Sequence, residues 1–439
     1  MSRKPSRSDE TGAGRGQPAT ARSDTTRVPA PRRAGARPEH DAEGAERFES
    51  LAERVRAGIA SFSSTRALAR SAGSEDLASL FVTHAHMTPS AWLARERVRA
   101  ARTLLEGREP IDAVASDVGF ATETAFRRAF AVYARMTPEA YRGMRHGEAF
   151  LLRLPPRYRA ADVLAYHGRD PASPSERVDG TRIAKAVTTP DGPAVLEIEL
   201  HAGNASVRLH ARKRASPRAL HEAHTTALRL LGLTADVRGF EAFARADPVL
   251  APLVARRRGL HLPLTATAFD GLCWAIIGQQ INLAFAFALR RDVLELAGER
   301  IGGLTAHPTP ERIASLDIAE LRRRRFSGAK AEYLVDTAAA VANGELAPEA
   351  LGDGSAVAAE TALVRLRGIG TWTARYVLMR GVGFGDAAPV GDVALAAALE
   401  RVTGAGRRPT GDEVDALMRR FSPYRSLATF HLWASLKDR

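Results

Sequence analysis

Two glycines one residue apart, Gly368 and Gly370, stand between runs of helical periodicity in ALVRLRGIGTWTARYVLMRGVGFGDAAPVGDVALAAAL (362–399). The pattern predicts a helix, a tight hairpin and a second helix, because glycine turns sharply and lets another molecule approach the backbone closely. A helix starting near Thr371 would turn its free N–H groups and positive dipole end toward the hairpin, as an anion site requires. Further on, Gly391-Asp392 places a carboxylate at the start of another apolar helix. Two readings stand open: a phosphate-gripping hairpin followed by a poised carboxylate, or a plain helical hairpin followed by an N-capping aspartate.

The totals narrow the class. A chain of 439 residues with 45% hydrophobic content is long enough for several domains with real cores. It holds no run of about 18 apolar residues able to span a bilayer. No apolar run follows the basic residues of the N-terminus, which excludes a signal peptide there. Cys273 is the single cysteine, so an internal disulfide and cysteine-built zinc or iron–sulfur centres are excluded. A cytoplasmic, nucleoid-associated protein without membrane contact is expected. The net charge of +13 points to a polyanionic partner.

Taken in order, residues 1–45 hold almost no large apolar side chain and carry nine Lys/Arg against six Asp/Glu, which predicts a disordered basic arm. Residues 46–145 hold two similar units, TRALARSAGSEDLASLFVTHAHMTPSAWL and IDAVASDVGFATETAFRRAFAVYARMTPEAY. Each is a short helix, a glycine turn (Gly73, Gly119), a second helix and a Met-Thr-Pro stop, the signature of helix-turn-helix. The pair, with its linking helix, resembles the AraC-type DNA-binding domain. The second unit would offer Thr122, Glu123, Thr124, Arg127 and Arg128 to DNA. The first would offer Ser74, Glu75, Asp76, Ser79 and Thr83, with no Lys or Arg, so operator reading by both units is in doubt. Residues 150–232 change to β-rich runs, TRIAKAV, AVLEIELH and ASVRLHAR, with Asp191-Gly192 as a turn, and predict a small α+β domain with an antiparallel sheet. Residues 233–439 read as helical, with loops at 259–264, 302–310 and 404–410. The fold class is thus multidomain and mostly α.

Three motifs then occur in order: FDGLCWAIIGQQI, RGIGTWTARYVL and PVGDVALAAAL. Together they resemble the helix–hairpin–helix DNA glycosylases, and most of all the 3-methyladenine DNA glycosylase II type. LRLPPRYRAADVLAYHGRD is similar to that type's N-terminal sheet domain, so the likeness covers about 151–439. An AraC-type domain in front resembles the adaptive-response regulator–glycosylase fusions, here without their methyl-acceptor cysteine domain.

The resemblance implies base excision from double-stranded DNA containing alkylated bases, by a monomer needing no cofactor. It assigns the catalytic carboxylate to Asp392, with Asp386 the nearest competitor. Such a carboxylate stabilises an oxocarbenium-like sugar or activates water against it. Trp372 stands where bifunctional relatives carry a Schiff-base lysine, which implies hydrolysis without strand scission. Trp372, Tyr376, Trp433 and Tyr166 are implied as the base pocket; stacking and cation–π attraction would favour cationic alkylpurines by about 1–2 kcal/mol. Ala434 replaces an aromatic of the family. Gln280 is implied as the wedge that fills the gap left by a flipped base. Gly368, Gly370 and Thr373 are implied to hold the phosphate backbone. The carbonyls of Val364, Leu366 and Ile369 are implied to ligate a monovalent cation, although Arg367 departs from the usual proline there. The run Arg322–Arg325 reads equally as a DNA-facing patch or a solvated turn. His84, His86, His221, His224 and His261 show no metal-ligand spacing. The alternative function is an AraC-type regulator of the alkylation response whose glycosylase-like part only binds damaged DNA.

Overall fold

Alternating helix caps and apolar stripes organise the N-terminal part of the computed structural model, which describes residues 41–73 and 76–438. The arm expected over 1–45 lies outside the described residues except for Asp41–Ala45. Here Asp41 accepts the Gly44 N–H and caps α1 (Ala42–Ala57), so Ala42–Ala45 are helical. With α2 (Thr65–Ala72) and α3 (Leu77–Ala85) it closes on Phe48, Phe81 and Trp92, which meet edge to face at 5.2–5.9 Å. The first Met-Thr-Pro begins α4 (Pro89–Leu104), because Thr88 caps it and Pro89 needs no N–H there. The second unit is α5 (Ile111–Asp117), α6 (Glu123–Tyr133) and α7 (Pro138–Gly143), the last capped by Thr137.

The sheet domain pairs five antiparallel strands in the order β1 (Ala149–Arg153), β5 (Asn204–Ala211), β4 (Gly192–His201), β3 (Arg182–Thr189) and β2 (Glu176–Asp179). Between β1 and β2 lies α8 (Ala160–His167), and α9 (Pro217–Leu230) follows β5. Ile183, Ile198 and Val207 face inward and join Val98 of α4 and Phe126, Phe130 and Tyr141 of the second helix-turn-helix unit in one continuous core. Across this seam His224 Nε2 bonds the Ala134 carbonyl at 2.8 Å, while Arg102 donates to its Nδ1 at 3.4 Å.

That pairing needs a neutral ring, and burial, aided by the Arg102 charge, pulls the His224 pKa down to about 3. The unfolded chain binds a proton near pH 6.5, so stability is whole above that value and falls as pH drops toward 3, by up to about 1.4 kcal/mol per unit. The melting temperature should therefore decline between pH 7 and pH 5, and His224→Gln should flatten the decline. An equal slope in wild type and variant would contradict this.

The remaining chain is α10 (Val237–Ala244), α11 (Leu250–Arg256), α12 (Ala268–Gly278), α13 (Leu283–Ala297), α14 (Pro310–Ala314), α15 (Ile318–Arg323), α16 (Gly328–Ala342), α17 (Ala356–Val364), α18 (Thr371–Val377), α19 (Val393–Thr403), α20 (Gly411–Arg419) and α21 (Arg425–Ser435). A π turn, Leu378–Val382, extends α18. The loop expected over 302–310 is in part a hairpin. Gly302 and Gly303 both take positive φ, 55° and 76°, and turn β6 (Glu299–Ile301) into β7 (Leu304–Ala306).

The first helix-turn-helix unit does not stand free. Its second helix, α3, packs with α1 against α17, the helix that leads into the glycine hairpin. His84 Nδ1 bonds Ser355 Oγ, the N-cap of α17, at 2.8 Å, and Glu49 accepts the Ser355 N–H at 3.2 Å. His86 Nδ1 accepts the Asp386 N–H at 3.1 Å, and its ring lies 5.1 Å from Phe384. Arg56 and Arg99 reach Asp353.

Candidate active site

The hairpin between α17 and α18 is held from two sides. Gly368 has φ +82°, and a Cβ there would overlap the Tyr333 ring of α16. Gly368→Ala should destabilise the fold by about 2 kcal/mol or more, since left-handed strain and overlap combine; an unchanged melting temperature would contradict the packing. Arg367, in the usual proline place, pairs with Glu332 at 2.9 Å and Asp336 at 3.5 Å. From the other side, Gln279 Nε2 donates to the Gly368 carbonyl at 2.9 Å and to Thr373 Oγ1 at 3.0 Å.

Thr373 is 3% exposed, so its hydroxyl ties this turn to the hairpin rather than facing outward. Lys330 Nζ donates to the carbonyls of Ile277 and Gln279 at 2.8 and 2.9 Å, neutralising the C-terminal end of α12. Gln280 follows, exposed and in the left-handed region at φ 55°. A non-glycine residue in that region stores strain of about 1–3 kcal/mol, which concentrates at functional turns. Asn282 then caps α13.

Asp392 caps α19: its Oδ1 accepts the Leu395 N–H at 2.7 Å and the Trp433 Nε1–H at 3.0 Å. Oδ2 has no hydrogen-bond partner among the described residues. The capping and catalytic readings therefore use the same geometry, because two donors fix the carboxyl plane and leave one oxygen open. Asp386 is different. It is 4% exposed and grips Arg425 through both oxygens at 2.9 and 3.1 Å, the Arg425 N–H at 3.1 Å and Ser422 Oγ at 2.7 Å.

An aromatic row runs from Asp392. The Tyr376 ring lies 6.4 Å from Trp433 and 5.4 Å from Trp372, stacked at 30°. Trp274 Nε1 donates to the Tyr376 hydroxyl at 2.9 Å, and Phe287 packs 5.2 Å from Trp274. Burial raises the Tyr376 pKa, which keeps a proton on that hydroxyl. Tyr166 joins from α8, 6.4 Å from Phe430 of α21. Its ring carries two guanidinium groups, Arg169 at 3.6 Å and Arg380 at 4.5 Å.

Sequence reasoning did not single out Gln279, Lys330, Trp274, Arg169 or Arg380, although all but Lys330 lie within stretches it quoted. The remaining candidates sit apart. Arg127 pairs with Glu123 and Glu139 at 2.6 and 2.5 Å, while Arg128 is exposed on α6. Arg323 and Arg324 pair with Glu320, Asp292 and Glu295, so much of the Arg322–Arg325 charge is spent within the fold. Val364 is exposed, Leu366 partly buried and Ile369 buried, and the Leu366 carbonyl already accepts the Ile369 N–H at 3.1 Å. No cluster of three His, Cys, Asp or Glu residues suited to a metal occurs among the described residues.

Comparison with known proteins gives these elements a lineage. Residues 67–144 match a helix-turn-helix domain, 150–267 the AlkA N-terminal domain, and 273–423 the HhH-GPD superfamily of base excision DNA repair proteins. The DNA-3-methyladenine glycosylase of Bacillus subtilis is 37% identical over 205 residues, which cover 46% of this chain and 68% of that protein. The chain belongs to the DNA-3-methyladenine glycosylase family.

Two other relatives align over less of their own length than the Bacillus subtilis one. DNA-3-methyladenine glycosylase 2 of Escherichia coli is 32% identical, covering 42% of this chain and 63% of that protein. A probable bifunctional transcriptional activator/DNA repair enzyme AlkA of Mycobacterium tuberculosis is 30% identical, covering 48% and 42%. The solved 3-methyladenine DNA-glycosylase from Archaeoglobus fulgidus shares the fold at TM-score 0.58, over 65% of this chain and 97% of that one, with 22% identity. No helix among the described residues is long and apolar enough to cross a membrane.

Proposed function

We propose that this chain hydrolyses the N-glycosidic bond of alkylated bases, of the 3-methyladenine type, in double-stranded DNA, and leaves the strand intact. The observation that carries the reading is the half-free carboxyl of Asp392, locked by Leu395 N–H and Trp433 Nε1–H beside an aromatic row. A flipped nucleotide would bring its sugar to Asp392 Oδ2 and its base between Trp372, Tyr376 and Trp433. As the bond to the base breaks, the carboxylate would stabilise the cationic sugar or take a proton from the water that adds to C1′. Extrusion costs a few kcal/mol, and Gln280 is the side chain suited to fill the gap and hydrogen-bond the orphaned base. The Gly368 and Gly370 N–H groups would hold the backbone phosphate. Should a monovalent cation bind the Val364, Leu366 and Ile369 carbonyls, it would stiffen that grip.

The hydrolytic, lyase-free reading is supported by Trp372 at the first turn of α18 and by Lys330, whose Nζ is committed to two carbonyls. We further read the protein as a monomer of the nucleoid. Residues 46–145 would serve as an accessory DNA-binding module ahead of the 150–232 sheet domain and the 233–439 glycosylase domain. Of the two second helices, only α6 offers an exposed arginine, Arg128, to a groove. The docking of α3 on α17 disfavours a two-helix operator reader, and with it the purely regulatory alternative. The test is a methylated duplex incubated with the full chain. Alkali-labile abasic sites should form in strands that remain unbroken at neutral pH, with no covalent adduct trapped by borohydride. Strand breaks or an adduct would contradict hydrolysis without scission.

A further inference from the structure

A single helix, α16, orders the groups on this face of the protein. Tyr333 backs the hairpin, its ring filling the space beside Gly368. One turn earlier, about 4.5 Å back along the axis, Lys330 Nζ holds the Ile277 and Gln279 carbonyls and so fixes the turn that presents Gln280. Arg325 comes next, just before Phe326 and Ser327, the N-cap of the same helix. The order along α16 is therefore hairpin, wedge turn and Arg325. Arg325 stands on the far side of the wedge from the hairpin.

Arg325 is exposed and takes the left-handed conformation at φ 71°, as Gln280 does at 55°. Buried Phe326 pins its turn from within. The guanidinium lies over the Phe285 ring, 5.4 Å from the centroid, and the Phe285 N–H is bonded to Asn282 Oδ1 in the same turn as Gln280. The two left-handed turns thus stand side by side, joined by Lys330 and by this stack. Arg323 and Arg324 spend their charge on Glu320, Asp292 and Glu295, and Arg367 at the hairpin end spends its own on Glu332 and Asp336. The Arg325 guanidinium has no hydrogen bond or ion pair among the described residues. A ring face fixes the plane of a guanidinium and leaves its N–H edge free for an outside acceptor.

We propose that Arg325 contacts the strand opposite the lesion, its free N–H edge donating to a backbone phosphate of that strand. The inference rests on the glycosylase reading above and deepens it. The Gly368 and Gly370 N–H groups hold the damaged strand, Gln280 fills the gap, and the next group along α16 meets the partner strand. A phosphate suits the place better than a base edge. Damage falls in every sequence context, and phosphate oxygens accept from a guanidinium fork in all of them, whereas a base edge does so in only some. Gripping both strands around Gln280 also opposes closure of the stack while the base is out. An unpaired damaged strand lacks this phosphate, so the contact belongs to the duplex alone.

The experiment measures binding of the full chain to a duplex with one tetrahydrofuran abasic site, which offers no base to excise, and to the same damaged strand left unpaired. Arg325→Ala should weaken duplex binding by about 5-fold at low salt and make the fall of log affinity with log salt shallower by about one phosphate contact. Binding to the unpaired strand should stay within about 2-fold of wild type. Arg325→Lys, which keeps the charge, should keep the salt slope. Arg325→Gly, which relieves the left-handed backbone, should melt no lower than wild type yet bind duplex as weakly as Arg325→Ala. An unchanged salt slope in Arg325→Ala, an equal loss on the unpaired strand, or a loss that changes with the base opposite the abasic site would overturn the assignment. Should wild type release no base from methylated DNA while these binding effects hold, the glycosylase reading fails and the strand contact stands.

Discussion

Asp392→Asn should reduce base release from methylated DNA by about 10³-fold or more, while the affinity for the same duplex changes little. The substitution keeps the shape and one oxygen, so the Leu395 N–H and Trp433 Nε1–H can still be satisfied and α19 can still be capped. What it removes is the negative charge that a cationic sugar needs and the basic oxygen that a water needs. Cap and charge are thereby separated: a capping role alone predicts lost stability with retained turnover, and a catalytic role predicts the reverse. Single-turnover release, duplex affinity and melting temperature measured on one preparation decide between them. Robust release by the variant would remove Asp392 from the chemistry.

Asp386→Ala should have the opposite signature. Its carboxyl satisfies Ser422, the Arg425 N–H and the Arg425 guanidinium in a site that is 4% exposed. Removing one partner of such a pair strands a buried charge and costs about 3–5 kcal/mol. The N–H of the same residue meets His86, so the loss should also loosen the dock of the helix-turn-helix unit. The melting temperature should fall by several degrees, while the protein that remains folded at low temperature releases base at close to the wild-type rate. A variant as stable as wild type but inactive would exchange the roles of the two aspartates.

Local chemistry was legible in the sequence. The glycine spacing at 368–370, the start of α18 at Thr371 and the cap at Asp392 depend on neighbouring residues, and they stand in the structure where the pattern puts them. The double helix-turn-helix and the antiparallel sheet followed from periodicity for the same reason. Long-range placement was not legible. The lack of Lys and Arg on α3 marked the first unit as a poor DNA reader, but nothing nearby says that the helix is spent on α17. Because the second unit shares its core with the sheet, a fragment ending at residue 145 would uncover Tyr141, whose ring packs on His221 and His224. Its contribution to DNA binding is better measured in the full chain. Arg169 and Arg380 escaped notice because a cation is ordinary anywhere in an arginine-rich sequence; only the fold stacks both on Tyr166. The β6–β7 hairpin was hidden in a helical stretch because three-residue strands carry too little alternation to register.

The most direct measurement is chromatography of the bases set free when the full chain acts on methylated duplex DNA. Free 3-methyladenine should appear in proportion to the abasic sites formed and be lost in Asp392→Asn. Binding to the methylated duplex with no free base above the uncatalysed background would contradict it.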